Sequence, residues 1–355
     1  MIMRCIATMA RWFVCAAILT ITVQVHGSVH DYDLKHWTSQ DGLSSQAVRA
    51  LVQDKNGYLW VGTLSGLNRF DGKKFTIFNT RNQKNLASNA INRLYLDSSG
   101  RIWIGTRSGL SLLNPETLTF EKVNIFGEVT DVIEMSPGRF LVAANGLFSV
   151  QDKKITRLTS VTTPVSQLEK TEDGIWAASS TELFFIKQDN KTPEVKKYPL
   201  FEDAFRTVVN DLYWNNKEQT LYIATESGLY EFTREKGNQE SGDIPGERRA
   251  VYRIHKDRSG ALWVSSDGIL AYRNPLNEWE NINDEHLDHK PWFLDILEAK
   301  DGAIWLASSG EGLYRAEEGN VARIMPQDVL EKKSVVLQQM RKASFGWLLD
   351  ISWVS

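Results

Sequence analysis

The chain has 355 residues, of which 42% are hydrophobic and 24% are charged, and its formal net charge is −3. This length and hydrophobic content suffice to bury a large core, which excludes an intrinsically disordered chain. The mixed, slightly acidic charge argues against a nucleic-acid-binding protein, because such domains usually carry a basic face.

The first 27 residues have the pattern of a secretory signal peptide. Arg4 and Arg11 precede the apolar run at positions 12–21. Val25 and Gly27 stand three positions and one position before the expected cleavage site. An uncleaved membrane anchor is the alternative, but the run is shorter than the ~20 residues that a spanning helix needs. We therefore expect cleavage, export to the periplasm and no membrane span in the mature chain.

Both cysteines of the chain, Cys5 and Cys15, lie within this segment. The mature chain therefore has no thiol for a disulfide, a cysteine-ligated metal or covalently attached haem. We expect a protein that folds in an oxidising compartment without disulfides.

One short motif recurs along the remaining chain. It consists of an apolar residue, an aromatic residue and two or three further apolar or small residues, as in Leu59–Thr63 and Ile102–Thr106, and a Gly-Leu pair follows closely. Further copies, some of them degenerate, centre on Leu141, Trp176, Tyr222, Trp263, Trp305 and, as a partial copy, Trp347, at intervals of 35 to 46 residues. A motif that recurs at intervals of this length indicates a repeat architecture.

Each repeat has the signals of four short strands. In the first repeat we predict strands at 48–53, 58–63, 66–70 and 74–78, with a hairpin turn at Asp71-Gly72. Repeated four-stranded antiparallel units of about 40 residues indicate a β-propeller. We predict an all-β, seven-bladed propeller over residues 28–325, followed by an incomplete eighth repeat over residues 326–355. A β-sandwich would require the phased copies to be a coincidence.

The motif residues have a packing explanation. An aromatic side chain on the second strand fills the space between neighbouring blades, and small residues such as Gly62, Gly105 and Ala143 let the next blade approach closely. We therefore assign the recurring tryptophans a structural role.

Three stretches of the first repeat carry a specific resemblance. They are WTSQDGLSSQAV at 37–48, QDKNGYLWVGT at 53–63 and GLNRFDG at 66–72. They resemble the opening of two-component regulator propellers, which form the periplasmic sensors of hybrid histidine kinases and of some diguanylate cyclases. The resemblance extends over residues 31–355 and is most specific in the first two repeats.

This family implies a longer protein than the sequence contains. A signal peptide, one or usually two seven-bladed propellers, an immunoglobulin-like linker, one membrane helix and a cytoplasmic output module are expected. The sequence has no kinase, cyclase or DNA-binding domain, so it resembles the first propeller plus a fragment of the second, truncated before its output. We expect no enzymatic activity and association with a separate membrane signalling partner.

No catalytic motif of a hydrolase, metalloprotease, nucleotide-binding or dinucleotide-binding protein is present. The one histidine cluster, at positions 284–289, offers His286 and His289 beside carboxylates. A metal site is the alternative there, but we favour an ordinary loop. No cofactor and no metal are expected.

The predicted ligand site lies at one mouth of the central channel. The first strand of each blade lines the channel, and its start opens onto the same face as the loop between the second and third strands. Polar residues that vary between blades occupy these positions, namely Arg49, Asn92, Arg93, Arg107, Asp131, Asn210, Asp211, Glu226, Tyr252, Arg253, Asp267, Asp295 and Glu311. Mixed charge beside Tyr252 favours a small polar ligand such as a sugar or peptide. The alternative is a channel mouth that is polar only because it is wet.

Three functions follow from these patterns. The first is a ligand-sensing propeller without chemistry of its own. The second is a secreted propeller enzyme that resembles the streptogramin-inactivating lyases, which would need a histidine at the channel mouth, whereas His255 lies further along its strand. The third is a scaffold that binds protein partners. The first is favoured.

Overall fold

Seven four-stranded antiparallel sheets make up the described part of the fold, and in six of them four consecutive strands follow one another in meander order. The computed structural model describes residues 32–187, 194–200, 207–240, 250–273, 279–281 and 291–318. Within these ranges a 3-10 turn at Ser39–Asp41 is the one helical element. The first strands of consecutive sheets contact one another in order, and the first strand of the seventh sheet contacts that of the first. The sheets are therefore the blades of a closed ring, and the predicted seven-bladed propeller is confirmed.

The blades follow the sequence repeats closely. Blade 1 consists of β2 (Val48–Gln53), β3 (Leu59–Thr63), β4 (Gly66–Phe70) and β5 (Phe75–Phe78). Blade 2 consists of β6 (Ile91–Leu96), β7 (Ile102–Thr106), β8 (Gly109–Asn114) and β9 (Thr119–Phe126). Blade 3 consists of β10 (Asp131–Ser136), β11 (Arg139–Ala144), β12 (Gly146–Gln151) and β13 (Lys154–Arg157). The strands predicted for the first repeat differ from the observed ones by one residue at two of their starts.

Blades 4 to 6 have the same plan. Blade 4 consists of β14 (Gln167–Lys170), β15 (Gly174–Ala178), β16 (Glu182–Lys187) and β17 (Glu194–Pro199). Blade 5 consists of β18 (Val209–Asn215), β19 (Thr220–Thr225), β20 (Gly228–Thr233) and β21 (Gly237–Glu240). Blade 6 consists of β22 (Val251–Lys256), β23 (Leu262–Ser266), β24 (Ile269–Arg273) and β25 (Trp279–Asn281).

Blade 7 combines strands from distant parts of the chain. It contains β26 (Phe293–Glu298), β27 (Ile304–Ser308) and β28 (Leu313–Glu318), and its outer strand is β1 (Tyr32–Trp37). β1 pairs with β28 from Tyr32↔Glu318 to Trp37↔Leu313. The sequence repeat predicts four consecutive strands here, so this blade differs from the expectation. The difference has a physical reason, since backbone hydrogen bonds between distant segments hold the ring closed. The predicted boundaries at residues 27 and 325 lie outside the described residues.

Three of the recurring tryptophans are anchored by the turns that precede them. The indole N–H groups of Trp60, Trp103 and Trp263 donate to the carboxylates of Asp54, Asp97 and Asp257 over 2.8, 3.0 and 2.7 Å. Each aspartate opens a D-x-x-G turn, and its second oxygen accepts a backbone N–H of that turn. The turn and the buried aromatic side chain are thereby fixed together, and the buried indole N–H is satisfied.

The small residues after the tryptophans allow close blade packing, as predicted. A Cβ atom at Gly62 would lie 2.6 Å from Cγ2 of Ile91, and one at Gly105 would lie 3.0 Å from Cγ1 of Val129. Ile91 and Val129 belong to the next blade in each case. A side chain at position 62 would therefore force the neighbouring blade to move, and one at position 105 would require it to yield by a few tenths of an ångström.

Replacing Trp103 by alanine should destabilise the fold strongly. Its side chain is 3% exposed and packs on Phe140 of blade 3, with ring centroids 4.3 Å apart. We expect the free energy of unfolding to fall by about 3–5 kcal/mol, as for other buried aromatic truncations.

Trp292, which is 49% exposed, provides the matched control. Its replacement by alanine should cost less than about 1 kcal/mol. Urea unfolding of both variants measures the two losses, and equal losses would show that Trp103 does not carry the blade interface.

Candidate functional site

A β-bulge near the start of the first strand places the outermost polar side chains at the channel mouth. In blades 1, 2, 5, 6 and 7 the pairing with the second strand skips one residue, which is respectively Arg49, Asn92, Asn210, Tyr252 and Leu294. A bulge leaves the extra residue out of the ladder and redirects its side chain. Four of the predicted site residues therefore occupy equivalent positions because of the same backbone irregularity.

These bulge residues form a belt that crosses from blade to blade. Arg49 donates to the Asn92 side chain over 3.0 Å, and Asn92 in turn donates to the carbonyl of Val129 in blade 3 over 3.3 Å. Asn210 donates to the carbonyl of Val251 over 2.9 Å in the same manner. All three side chains are half-buried, so each keeps a surface that solvent reaches.

Tyr252 belongs to an aromatic and acidic group on the same belt. Its hydroxyl donates to Oδ1 of Asp267 over 2.6 Å. Burial, and then this hydrogen bond to a carboxylate, raise the pKa of Tyr252, so the phenol stays protonated. Its ring stacks on Trp292 with centroids 5.9 Å apart and planes inclined by 23°. Trp292 was missed by the sequence analysis, although its place directly before a first strand could have indicated it.

The remaining loop residues lie on this face as predicted. Arg107 and Glu226 are exposed in the loops between the second and third strands of blades 2 and 5. Glu311, in the corresponding loop of blade 7, is held by a hydrogen bond from its N–H to Ser308 and by a contact between its carbonyl and His36. We call the surface formed by Arg49, Asn92, Arg107, Asn210, Glu226, Tyr252, Asp267, Trp292 and Glu311 the mouth surface.

The other five predicted residues lie one position deeper and are engaged with the scaffold. Arg93 pairs with Asp131 over 2.7 Å, and Arg253 pairs with both Asp211 and Asp295 over 2.8 Å. The three aspartates are at most 4% exposed. Burial raises the pKa of Asp211, while the same carboxylates raise the pKa of Arg253 and keep it charged.

Each of these aspartates also bonds to the backbone of the next blade. Asp131, Asp211 and Asp295 accept the N–H groups of Leu168, Ile254 and Leu51, each over 2.8 Å. A carboxylate that bonds both an arginine and a neighbouring blade is already satisfied. These contacts assign the five residues a part in joining the blades, and the ligand role predicted for them stays a prediction.

Glu169, which the sequence analysis did not select, lies beside this charge cluster, and its side chain is half-buried. Its Oε1 accepts the N–H of Trp214 in blade 5 over 2.9 Å. Burial, and then the nearby carboxylates of Asp211 and Asp131, raise the pKa of Glu169 to about 8. An acidic residue in an otherwise apolar or aromatic strand position was the available signal. Glu169 is therefore protonated at neutral pH, which lowers the excess of negative charge in the channel.

Two further observations concern metals and membranes. Within the described ranges, no three His, Cys, Asp or Glu side chains are grouped so that they could hold a metal ion. The cluster at 284–289 lies outside those ranges. The part of the chain that the structure describes also has no helix with the length and hydropathy of a membrane span.

Replacing Glu169 by glutamine should change how stability depends on pH. Between pH 4.5, the ordinary value for a glutamate, and about 8, the unfolded chain releases this proton while the folded protein keeps it. The free energy of unfolding of the native protein therefore falls as pH rises through this window, by up to about 1.4 kcal/mol per pH unit from this group. Glutamine retains the acceptor for Trp214 and does not titrate.

We therefore expect the Glu169→Gln variant to gain stability relative to the native protein between pH 5 and pH 8. Urea unfolding at several pH values measures this difference. For Glu226→Gln, a change at an exposed loop residue, the difference in free energy of unfolding from the native protein should be the same at every pH. Parallel pH profiles for Glu169→Gln and the native protein would contradict a raised pKa of Glu169.

Comparison with known proteins gives a family match in the first two blades. The model of the family described as "Two component regulator propeller" matches residues 42–65 and 85–108. These are the stretches around Trp60 and Trp103 where the sequence resemblance is most specific. Histidine kinase P4 of Formosa agariphila is 44% identical over 62 residues, which are 18% of this chain and 4% of that protein.

Solved structures extend the similarity of fold to the whole ring. The extracellular domain assigned to the hybrid two component system BT3049 of B. thetaiotaomicron has a TM-score of 0.68 at 20% identity, and the match covers 81% of this chain and 42% of that one. Virginiamycin B lyase from Staphylococcus aureus has a TM-score of 0.63 at 13% identity, with 80% and 99% covered. At these identities the similarity establishes the fold alone.

This chain spans less than half the length of either two-component relative. Its blades match the extracellular domain of a two component system and a lyase about equally well in backbone, so the solved structures do not separate the two. The predicted resemblance to two-component regulator propellers is confirmed by the match of that family's model to residues 42–65 and 85–108.

Proposed function

We propose that this chain is the ligand-sensing propeller of a periplasmic signalling protein, and that it binds a small polar ligand at the mouth surface without catalysing a reaction. The observation that carries the proposal is that the first strands contain two kinds of position, one used for packing and one open at the channel mouth. Residues that recur between blades are buried in the packing, whereas the bulge positions of four blades present the polar side chains Arg49, Asn92, Asn210 and Tyr252. A ring of varied, accessible polar groups on a constant scaffold suits recognition.

The chemistry of the mouth surface supports an uncharged or weakly charged polar ligand. Arg49 and Arg107 face Glu226, Asp267 and Glu311 around the ring, so neither sign dominates. The stacked Tyr252 and Trp292 offer an aromatic surface beside hydrogen-bonding groups. A sugar or a short peptide combines an apolar face with several donors and acceptors and is the class we propose.

The lyase alternative has less support from the described residues. His255 pairs with Trp263 within blade 6, and its Nε2 is buried without a hydrogen-bond partner among the described residues. Burial, and then the charge of Arg253, lower the pKa of His255. A base for a lyase reaction needs access to its substrate, and a buried imidazole away from the mouth surface lacks it.

Ligand binding at the mouth surface can be tested by thermal shift with a panel of neutral oligosaccharides and short peptides. We expect at least one member to raise the melting temperature and to be recovered chemically unchanged. Tyr252→Ala should weaken its binding at least tenfold, because the aromatic stack and the bond to Asp267 are both lost. Lys217→Gln, in an exposed turn at the opposite end of blade 5, is the matched control and should bind normally.

Two results would contradict this proposal. One is a hit whose affinity is the same in Tyr252→Ala and in the native protein, because binding would then lie elsewhere. The other is conversion of the bound compound to a new product, which would indicate an enzyme.

A further inference from the structure

A cavity lies at the end of the blades opposite the mouth surface, where β1 meets blades 7 and 1. Its walls include the hairpin turn at Asp71 and the turn at Asp301. The Asp71 turn joins the third and fourth strands of blade 1, and the Asp301 turn joins the first and second strands of blade 7. Both turns therefore lie at the end of the blades away from the mouth surface. The cavity has a volume of about 330 Å³. We call it the seam cleft, because it is lined by both ends of the described chain.

The inner wall of the seam cleft is aromatic. The ring of Trp37 lies 5.2 Å from that of Trp305 and 5.3 Å from that of Phe70, measured between centroids. Trp305 and Phe70 are buried, while Trp37 is half-buried and open to the cleft. Such a wall accommodates one flat or branched apolar group of moderate size.

One pair of charges at the rim is already committed within the protein. Arg315 bonds to Asp301 over 2.7 Å, contacts Glu317 and lies over the ring of Trp305 at 5.6 Å. Burial opposes ionisation of Asp301, but the N–H of Ala303 and the guanidinium of Arg315 hold the pKa of Asp301 below its ordinary value. This pair forms a neutral part of the wall.

Two further opposite charges line the rim. Lys35 is 55% exposed, and its ammonium group pairs at 3.4 Å with Glu317, a carboxylate that Arg315 also contacts. The carboxylate of Asp71 accepts the backbone N–H groups of Lys74 and Lys73, and these bonds, with the charge of Lys74, lower the pKa of Asp71 and keep it ionised. The cleft therefore presents one cation from β1 and one anion from blade 1 beside an aromatic wall.

We propose that the seam cleft binds a free amino acid with a large apolar side chain. Its ammonium group pairs with Asp71, its carboxylate pairs with Lys35, and its side chain packs against Trp37 and Trp305. A ligand with a single charge meets one favourable and one unfavourable group. A neutral sugar stacks on the wall but leaves both rim charges without an ionic partner. This site is separate from the mouth surface and does not depend on the function proposed for it.

Occupation of the seam cleft has a structural consequence. The proposed contacts join β1, blade 7 and blade 1, which are the segments that close the ring. A ligand that requires all three binds the closed ring better than an opened one, so it stabilises closure by mass action.

The test is isothermal titration calorimetry of the whole chain with four compounds. L-phenylalanine carries both charges, phenethylamine lacks the carboxylate, 3-phenylpropionate lacks the ammonium group, and 2-phenylethanol lacks both charges. We expect L-phenylalanine to bind at least tenfold more tightly than any of the three analogues.

Two substitutions locate the site and assign each charge. Lys35→Gln should make L-phenylalanine and phenethylamine bind equally, and Asp71→Asn should make L-phenylalanine and 3-phenylpropionate bind equally. Asparagine retains the acceptor for the turn, and unchanged melting temperatures of the free variants check that folding is intact. Arg49→Gln on the mouth surface should leave the affinity for L-phenylalanine unchanged.

The proposal is overturned if L-phenylalanine does not bind at millimolar concentration, or if both seam variants bind it normally. Equal affinity for 2-phenylethanol, or loss of L-phenylalanine binding in Arg49→Gln, would also overturn it. None of these results affects the test of the mouth surface, which uses Tyr252→Ala and a different panel.

Discussion

Backbone groups at the centre of the ring have to be satisfied without a neighbouring strand, and three buried aspartates meet this requirement. The inner edge of each first strand faces the channel, where N–H groups would otherwise lack acceptors. Asp131, Asp211 and Asp295 supply acceptors to the strands of the following blades. Arg93 and Arg253 compensate part of their charge. The blades therefore meet at the centre through fixed polar contacts, in addition to the aromatic packing further out.

This central network separates the scaffold from the surfaces that can recognise a ligand. In five blades the second residue after the leading apolar position joins blades, namely Arg93, Asp131, Asp211, Arg253 and Asp295. The bulged residues Arg49, Asn92, Asn210 and Tyr252 supply part of the mouth surface instead. Burial, and then the nearby carboxyl groups, keep Glu169 protonated. At the other end of the blades, β1 lines the seam cleft together with blades 7 and 1.

The repeat architecture was predictable because its signals are local. The D-x-x-G turn, the tryptophan six residues after its aspartate and the Gly-Leu pair lie within one blade, and the strands of blade 1 follow from them within one residue. The pairing of β1 with β28 was not predictable, since it joins segments that share no local pattern. The same limit applies to Glu169, whose pKa depends on residues of other blades, and to Trp37, which gains its role only where blades 7 and 1 meet. The first-strand residues of the mouth surface could be predicted because they stand at a fixed position after the leading apolar residue, but separating them from the buried pairs required contacts between blades, and Trp292 was missed.

Hydrogen exchange of the channel amides tests the central role of the aspartates most directly. The amides of Leu51, Leu168 and Ile254 lie on inner strand edges, where amides without a partner exchange quickly with solvent. If the aspartates join the blades, these three amides exchange only through global unfolding, as slowly as those of the buried second strands. Exchange as fast as that of the exposed loop amides would contradict a ring held at its centre by carboxylate-to-backbone bonds.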